Sequence, residues 1–263
     1  MLMRIRSRHL ALALAATGVL ALGTAVPAGA GAGAEAHAKW SYSGPTGPAH
    51  WGSLDPAYAA CSDGRAQSPV NLRQATRKPL RNPRFRYVTG RAAVFNNTHT
   101  VVADARPGST MSVGGSTFRL LQIHFHVHSE HEVNGHIYPV EVHFVHQTKS
   151  GDLAALGVFV RRGSSTNRAW LPYVRSLDVA PGKSVHPRIN WAAMLPRDRA
   201  SFRYHGSLTT PPCTEGLTWV VLTHPVRLSA KQIAAFRAAY ADNFRPLQPL
   251  HGRTILLDSS RGR

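Results

Sequence analysis

Residues 121–146 read LQIHFHVHSEHEVNGHIYPVEVHFVH, and no other stretch of the 263-residue chain constrains the fold as much. Its first part alternates apolar side chains with histidine, a period of two that fits a β-strand and not an α-helix. In a strand His124, His126 and His128 share one face, with successive members about 7 Å apart. His124 and His128 lie about twice that distance apart, so a third member converging on the same point has to come from a neighbouring strand. Asn134-Gly135 is the preferred two-residue hairpin turn. A hairpin closed there pairs residues whose numbers sum to 269, which places His126 opposite His143 and His124 diagonally across on the same face. His146 points to the other face.

Three neutral imidazoles with an open fourth position are the donor set of a catalytic zinc, whereas structural zinc is closed by four ligands, often thiolates. A lone histidine is more often an ordinary core or surface residue, and most of the fifteen here are read that way. The spacing sets His124, His126 and His143 apart. Gln122 and Glu141 each precede one of them by two residues on the same face. There they can accept the N–H that a ligating histidine turns away from its metal. Without such a partner, an inward polar group in an apolar strand is costly.

Strand-like segments recur at 92–95, 100–103, 117–128, 138–147, 154–160 and 218–222, separated by Gly, Pro and Asn. The clearest helix begins at Ser229, where Ser229 and Gln232 fit a capping box and Ile233, Phe236 and Tyr240 form one apolar stripe. A shorter helix is expected at 167–177, bent or interrupted at Pro172. The fold class is mostly β, a single domain with a large sheet and few peripheral helices. Ser68-Pro69 and Pro211-Pro212 are candidate cis bonds.

Residues 1–34 read as a secretory signal. Arg4, Arg6 and Arg8 precede an apolar run and a small-residue region, with cleavage expected between residues 30 and 38. The folded domain then spans 39–258, and no membrane span remains after removal of the leader. Without the three leader arginines, 28 Lys and Arg face 13 Asp and Glu. The basic residues are scattered and match no nucleic-acid motif, so the charge reads as solubility and loose attraction to anionic polymers. Cys61 and Cys213 both lie in the exported part, where a lone pair is most simply a disulfide.

Several motifs resemble the α-class carbonic anhydrases, in family order over nearly the whole mature chain. They are 40–42 (WSY), 64–71 (GRAQSPVN), the histidine stretch, 206–212 (GSLTTPP) with Trp219 downstream, and 243–249 (NFRPLQP). The compact HFHVHSEH loop and the two cysteines are similar to secreted bacterial members, in which those cysteines pair. The resemblance implies a mostly antiparallel central sheet of about ten strands with one zinc ion at the foot of a conical cleft. It also implies reversible hydration of carbon dioxide to bicarbonate by attack of zinc-bound hydroxide.

Carried over residue by residue, Thr209 accepts the hydroxide proton and donates its own to Glu130. Leu208, Val145, Trp219, Leu217 and Leu153 form the apolar wall for carbon dioxide, with Thr209 and Thr210 beside it. His99 shuttles the proton to solvent, and Tyr42 and Asn97 organise the water between. Ala155, where many members carry valine, and Thr98, in place of a frequent glycine, depart from the pattern. The chemistry extends to ester hydrolysis as a side activity. A binding protein on this fold would have lost a zinc histidine, and all three are present. No specific nucleic-acid partner is implied, and the sequence is neutral between monomer and homodimer.

Overall fold

The computed structural model describes residues 38–259; the expected leader and its cleavage region lie almost wholly outside them. The described residues belong to one compact unit, His37–Arg263. They form fourteen strands: β1 (Thr76–Lys78), β2 (Arg84–Arg86), β3 (Gly90–Asn96), β4 (Val101–Ala105), β5 (Thr110–Val113), β6 (Ser116–His126) and β7 (Val140–Gln147). The others are β8 (Leu153–Arg162), β9 (Ser184–Val185), β10 (Arg188–Ile189), β11 (Ser201–Ser207), β12 (Glu215–Leu222), β13 (Val226–Leu228) and β14 (Leu256–Asp258). Ten of them make one continuous sheet in the order β1-β14-β11-β12-β8-β7-β6-β4-β3-β10. Among these strands, parallel pairing is confined to β1 with β14 and β8 with β12 and β13, so the sheet is mostly antiparallel as expected.

β6, β7 and β8 form the middle of the sheet and alternate their side chains between two layers. Phe125, Val142, Phe144 and Val158 face one side, where Trp170, Tyr173, Ile233 and Phe236 cover them. Phe125 and Phe236 meet edge to face, with ring centroids 4.9 Å apart, a favoured aromatic geometry. On the other side Ala155, Leu217, Trp219 and Val221 pack with Val70, Leu72 and Tyr204.

The helix Ala230–Ala239 begins as its sequence predicts. Ser229 and Gln232 complete a capping box, and Ile233 and Phe236 are buried. The helix expected over 167–177 is shorter: a 3₁₀ turn at Arg168–Trp170 leads into Leu171–Val174. Pro172 lies in the first turn of that helix, where its missing N–H costs no intrahelical bond. Ser68-Pro69 and Pro211-Pro212 are cis, as is Val127-His128. Cys61 and Cys213 form a disulfide.

The hairpin register differs from expectation. His124, not His126, lies opposite His143, and His126 pairs with Glu141. Asn134-Gly135 does make a two-residue turn, with φ of 50° and 82°, but it closes only the bridge between Val133 and His136. β6 stops at His126, so residues 127–139 form an excursion rather than a continued ladder. From Gln122 to His126 the pairing is displaced by two residues, and with a pleat of period two that leaves these side chains on their expected face. A bulge between Leu120 and Gln122 turns Leu120 into the apolar layer and Arg119 away from it.

Candidate metal centre

His124 and His126 project from β6 and His143 from β7, all onto the sheet face opposite Phe125 and Phe144. Each offers one nitrogen, and the three atoms lie within 4.8 Å of one another. The second nitrogen of each ring meets a pure acceptor, which fixes the tautomer. His124 Nδ1 donates to Gln122 Oε1 at 3.0 Å, and His126 Nδ1 to the Asn243 carbonyl at 2.7 Å. His143 Nε2 donates to Glu141 Oε1 at 2.9 Å. The inward nitrogens are therefore unprotonated lone pairs. Burial, reinforced by neighbouring rings, holds the His124 pKa well below its usual value and brings that of His126 to about 3.

Glu141 and Gln122 sit where the sequence reading puts them. That reading gave His131 no role, yet His131 is fully buried and shares Glu141 with His143. Its Nδ1 donates to Glu141 Oε1 at 2.8 Å, its backbone N–H to Oε2 at 2.9 Å, and its Nε2 is 2.6 Å from the Tyr204 hydroxyl. Burial alone would raise the Glu141 pKa, but His131 and His143 hold it well below the usual range. Asn243 also went unrecognised as a supporting residue. Its side chain accepts from Val127 N and donates to the carbonyls of His99 and Phe125. An excess of buried polar residues around one apolar strand was the available signal, but their partners are far away in sequence.

Glu130 lies beneath the three histidines. Its Oε1 accepts from Arg245 N at 2.8 Å, while Oε2 is 3.4 Å from His126 Nε2. Burial raises its pKa to about 7, against the opposing pull of the His143 ring, the Thr209 hydroxyl and the Arg245 N–H. Glu130 Oε2 itself has no hydrogen-bond partner among the described residues. Arg245 is buried as well, its guanidinium bound by Gln67 Oε1 and the carbonyls of Ser68 and Cys61.

Leu217 and Trp219 are buried, and Leu153 and Leu208 pack beside them in the same cluster. The Trp219 ring stands 4.8 Å from that of His143. Val145 continues the His143 face along β7, paired with Gln122 on β6 and Ala155 on β8. Thr210 is half-buried. His99 stacks on Trp40 with centroids 3.7 Å apart, and its Nε2 donates to the Trp40 carbonyl at 2.9 Å. Tyr42 meets the His99 ring edge-on at 6.4 Å. The Asn97 side-chain oxygen accepts from the backbone N–H groups of His99 and Thr100, so this residue also shapes the turn that carries His99.

The donor set fits zinc. His126 Nε2 is buried with no hydrogen-bond partner among the described residues, an arrangement that costs stability unless something else binds it. Three neutral imidazoles without thiolates make an open, catalytic type of site. The group formed by His131, Glu141 and His143 is different, because its facing atoms already hydrogen-bond one another. The fold and site thus define a protein with a metal-capable tri-histidine group on a central β-sheet.

The family model for eukaryotic-type carbonic anhydrase matches residues 46–259. A carbonic anhydrase of Pectobacterium carotovorum is 38% identical over 221 residues, covering 82% of this chain and 90% of the relative. The solved α-carbonic anhydrase of Thermovibrio ammonificans, in complex with the inhibitor sulfanilamide, is 41% identical with a TM-score of 0.81. That match covers 84% of this chain and all of the other. A structure of dioscorin complexed with ascorbate matches at 29% identity and a TM-score of 0.77, covering 83% of this chain and 97% of the other. The chain belongs to the eukaryotic-type, or α, carbonic anhydrase family.

Proposed function

We propose that this chain catalyses the reversible hydration of carbon dioxide to bicarbonate and a proton, with one zinc ion held by His124, His126 and His143. The observation that carries the reading is the set of three inward nitrogens, each fixed by an acceptor behind it and one buried without a partner. Zinc bound there lowers the pKa of a water to about 7 and so supplies a nucleophile at neutral pH; carbonic anhydrase is itself the standard example of this effect.

The protein aims that chemistry. With its own proton directed to Glu130, the Thr209 hydroxyl oxygen is left to accept a hydrogen bond from the attacking oxygen, pointing a lone pair at the substrate. Leu208, Val145, Leu217, Trp219 and Leu153 hold carbon dioxide by apolar contact, and Thr210 borders the same wall. After attack, one proton has to leave. His99 takes it and passes it to solvent, a task suited to an imidazole, along water ordered by Tyr42 and Asn97. The same nucleophile opens activated esters as a side activity. Residues 1–34 direct export, consistent with the Cys61–Cys213 disulfide. Among the described residues, no helix is long and apolar enough to cross a membrane.

Stopped-flow carbon dioxide hydration tests the proposal, run before and after zinc is stripped and restored. Turnover that disappears and returns with zinc is expected. Folded, zinc-loaded protein without turnover would refute it and favour a binding role on this fold.

A further inference from the structure

Three arginines and a lysine of this basic chain gather on one face of the sheet. β2 pairs with β5 and β5 with β6, so Arg86, Thr110 and Arg119 form one cross-strand row, and Arg84, Ser112 and Thr117 the next. Arg119 pairs in turn with Gln147 on β7. The opposite sides of these strands carry Phe118 and Leu120, which are buried in the core. The polar rows therefore face outward, and Arg84, Arg86, Arg119 and the nearby Lys149 are all exposed. Among the described residues, none of these four cations has an ion-paired or hydrogen-bonded partner. Thr110, Thr117, Arg119, Gln147 and Lys149 line a recess of about 510 Å³. Asp152, in the turn after β7, is bound by the Thr148 and Ser150 hydroxyls at 2.9 and 2.6 Å.

The spacing is regular. Arg84 and Arg86 stand about 7 Å apart along β2, and Arg86 and Arg119 about 10 Å apart across two strand spacings. Thr110 stands between Arg86 and Arg119, and beside Arg84 the Ser112 and Thr117 hydroxyls bond each other at 2.9 Å. We propose that this face docks an acidic polysaccharide, with the cations meeting its carboxylates and the Thr, Ser and Gln side chains its hydroxyls. The side chains of these rows are all polar, without the aromatic platform on which single-stranded nucleic acid stacks. Gln147 lies four residues from His143 on the same face of β7, about 13 Å of strand. A bound polymer would thus lie beside the metal-site cleft rather than over the three histidines.

Binding of the zinc-loaded protein to immobilised polygalacturonate at 150 mM salt tests this proposal. The double variant Arg86→Ser/Arg119→Ser is expected to weaken binding at least tenfold. A control, Arg168→Ser/Arg175→Ser, removes the same charge from exposed positions beside the opposite layer and is expected to change binding less than threefold. Thr117→Val is expected to weaken binding without changing charge, and all variants should keep wild-type carbon dioxide hydration and thermal midpoints. Equal weakening by the two double variants would reduce the effect to net charge and overturn the proposal. So would absence of binding, or tighter binding to a single-stranded oligonucleotide or phosphatidylglycerol vesicles than to the glycan.

Discussion

His131 and His143 donate to the same carboxylate oxygen, Glu141 Oε1, at 2.8 and 2.9 Å. The other oxygen accepts the His131 backbone N–H, so every facing group on the histidine side is a donor. Glu141→Gln would turn an NH₂ group against one of them. We expect zinc affinity to fall about 10- to 100-fold, measured by competition with a chelator. Unchanged affinity would show that His143 needs no carboxylate to orient it.

Asn243 joins segments remote in sequence. Its carbonyl holds His126, and its side chain makes three hydrogen bonds in the core beside it. Asn243→Ala leaves buried partners unpaired, with an expected loss of about 2–4 kcal/mol. Urea unfolding measures this, and zinc affinity should fall in parallel because Val127 adjoins the ligand His126. Full stability in the variant would mean that water replaces the amide.

His146 carries a pH dependence away from the metal. Burial brings its pKa from 6.5 to about 3, and its Nε2 lies 2.7 Å from the Tyr87 hydroxyl. Below pH 6.5 the unfolded chain takes up a proton that the folded chain refuses. The stabilisation is therefore complete above pH 6.5 and declines with acidification down to about pH 3. Between pH 7.5 and pH 5 the zinc-free protein should lose about 2 kcal/mol from this group alone. The loss should be absent in His146→Leu, as read by urea unfolding across pH. Parallel pH profiles for the two proteins would contradict the assignment.

His99→Ala should slow proton transfer and leave attack on carbon dioxide intact. The expected result is a loss in kcat on the order of 10²-fold with kcat/KM little changed, and recovery on adding imidazole buffer. Equal loss in both parameters would place His99 in binding or structure instead.

The disulfide between Cys61 and Cys213 spans a sequence separation of 152 residues. Replacing both by alanine should cost up to about 5 kcal/mol in the chain-entropy account. Thermal unfolding of oxidised wild type against the double variant measures it. Matching midpoints would mean that the polar bonds around Arg245 already anchor this region.

Local pattern made β6, β7, β8 and the capped helix at Ser229 legible, because each carries a full period of apolar and polar positions. β11 was missed. Its sequence SFRYHGS puts Arg203 and His205 among buried neighbours, and its pairing with β12 and β14 supplies what composition does not show. β1 and β9 are three and two residues long with no buried position, so they carry no periodic hydrophobic signal. The placing of the metal-site histidines and of Gln122 and Glu141 was readable because strand geometry relates residues two apart. His131, Asn243 and Arg245 were not, because their partners lie 10, 117 and 178 residues away.

The two-residue displacement between β6 and β7 has a wider consequence. A pleated ladder behaves as a parity code: an even slip changes which side chains meet but keeps each on its face, and an odd slip reverses the faces. The exposed tip at Asn134 and Gly135 sits beyond Glu130 and His131, the two excursion residues that reach the metal-site cluster. Segments of different length grafted at that tip are expected to leave the donor atoms in place, because β4 and β8 hold the two histidine strands from outside. The centre is thus modular: its three donors are carried by the flanking strands, its supports Glu130 and His131 by the near part of the connection, and only the tip beyond them is free to be rewritten.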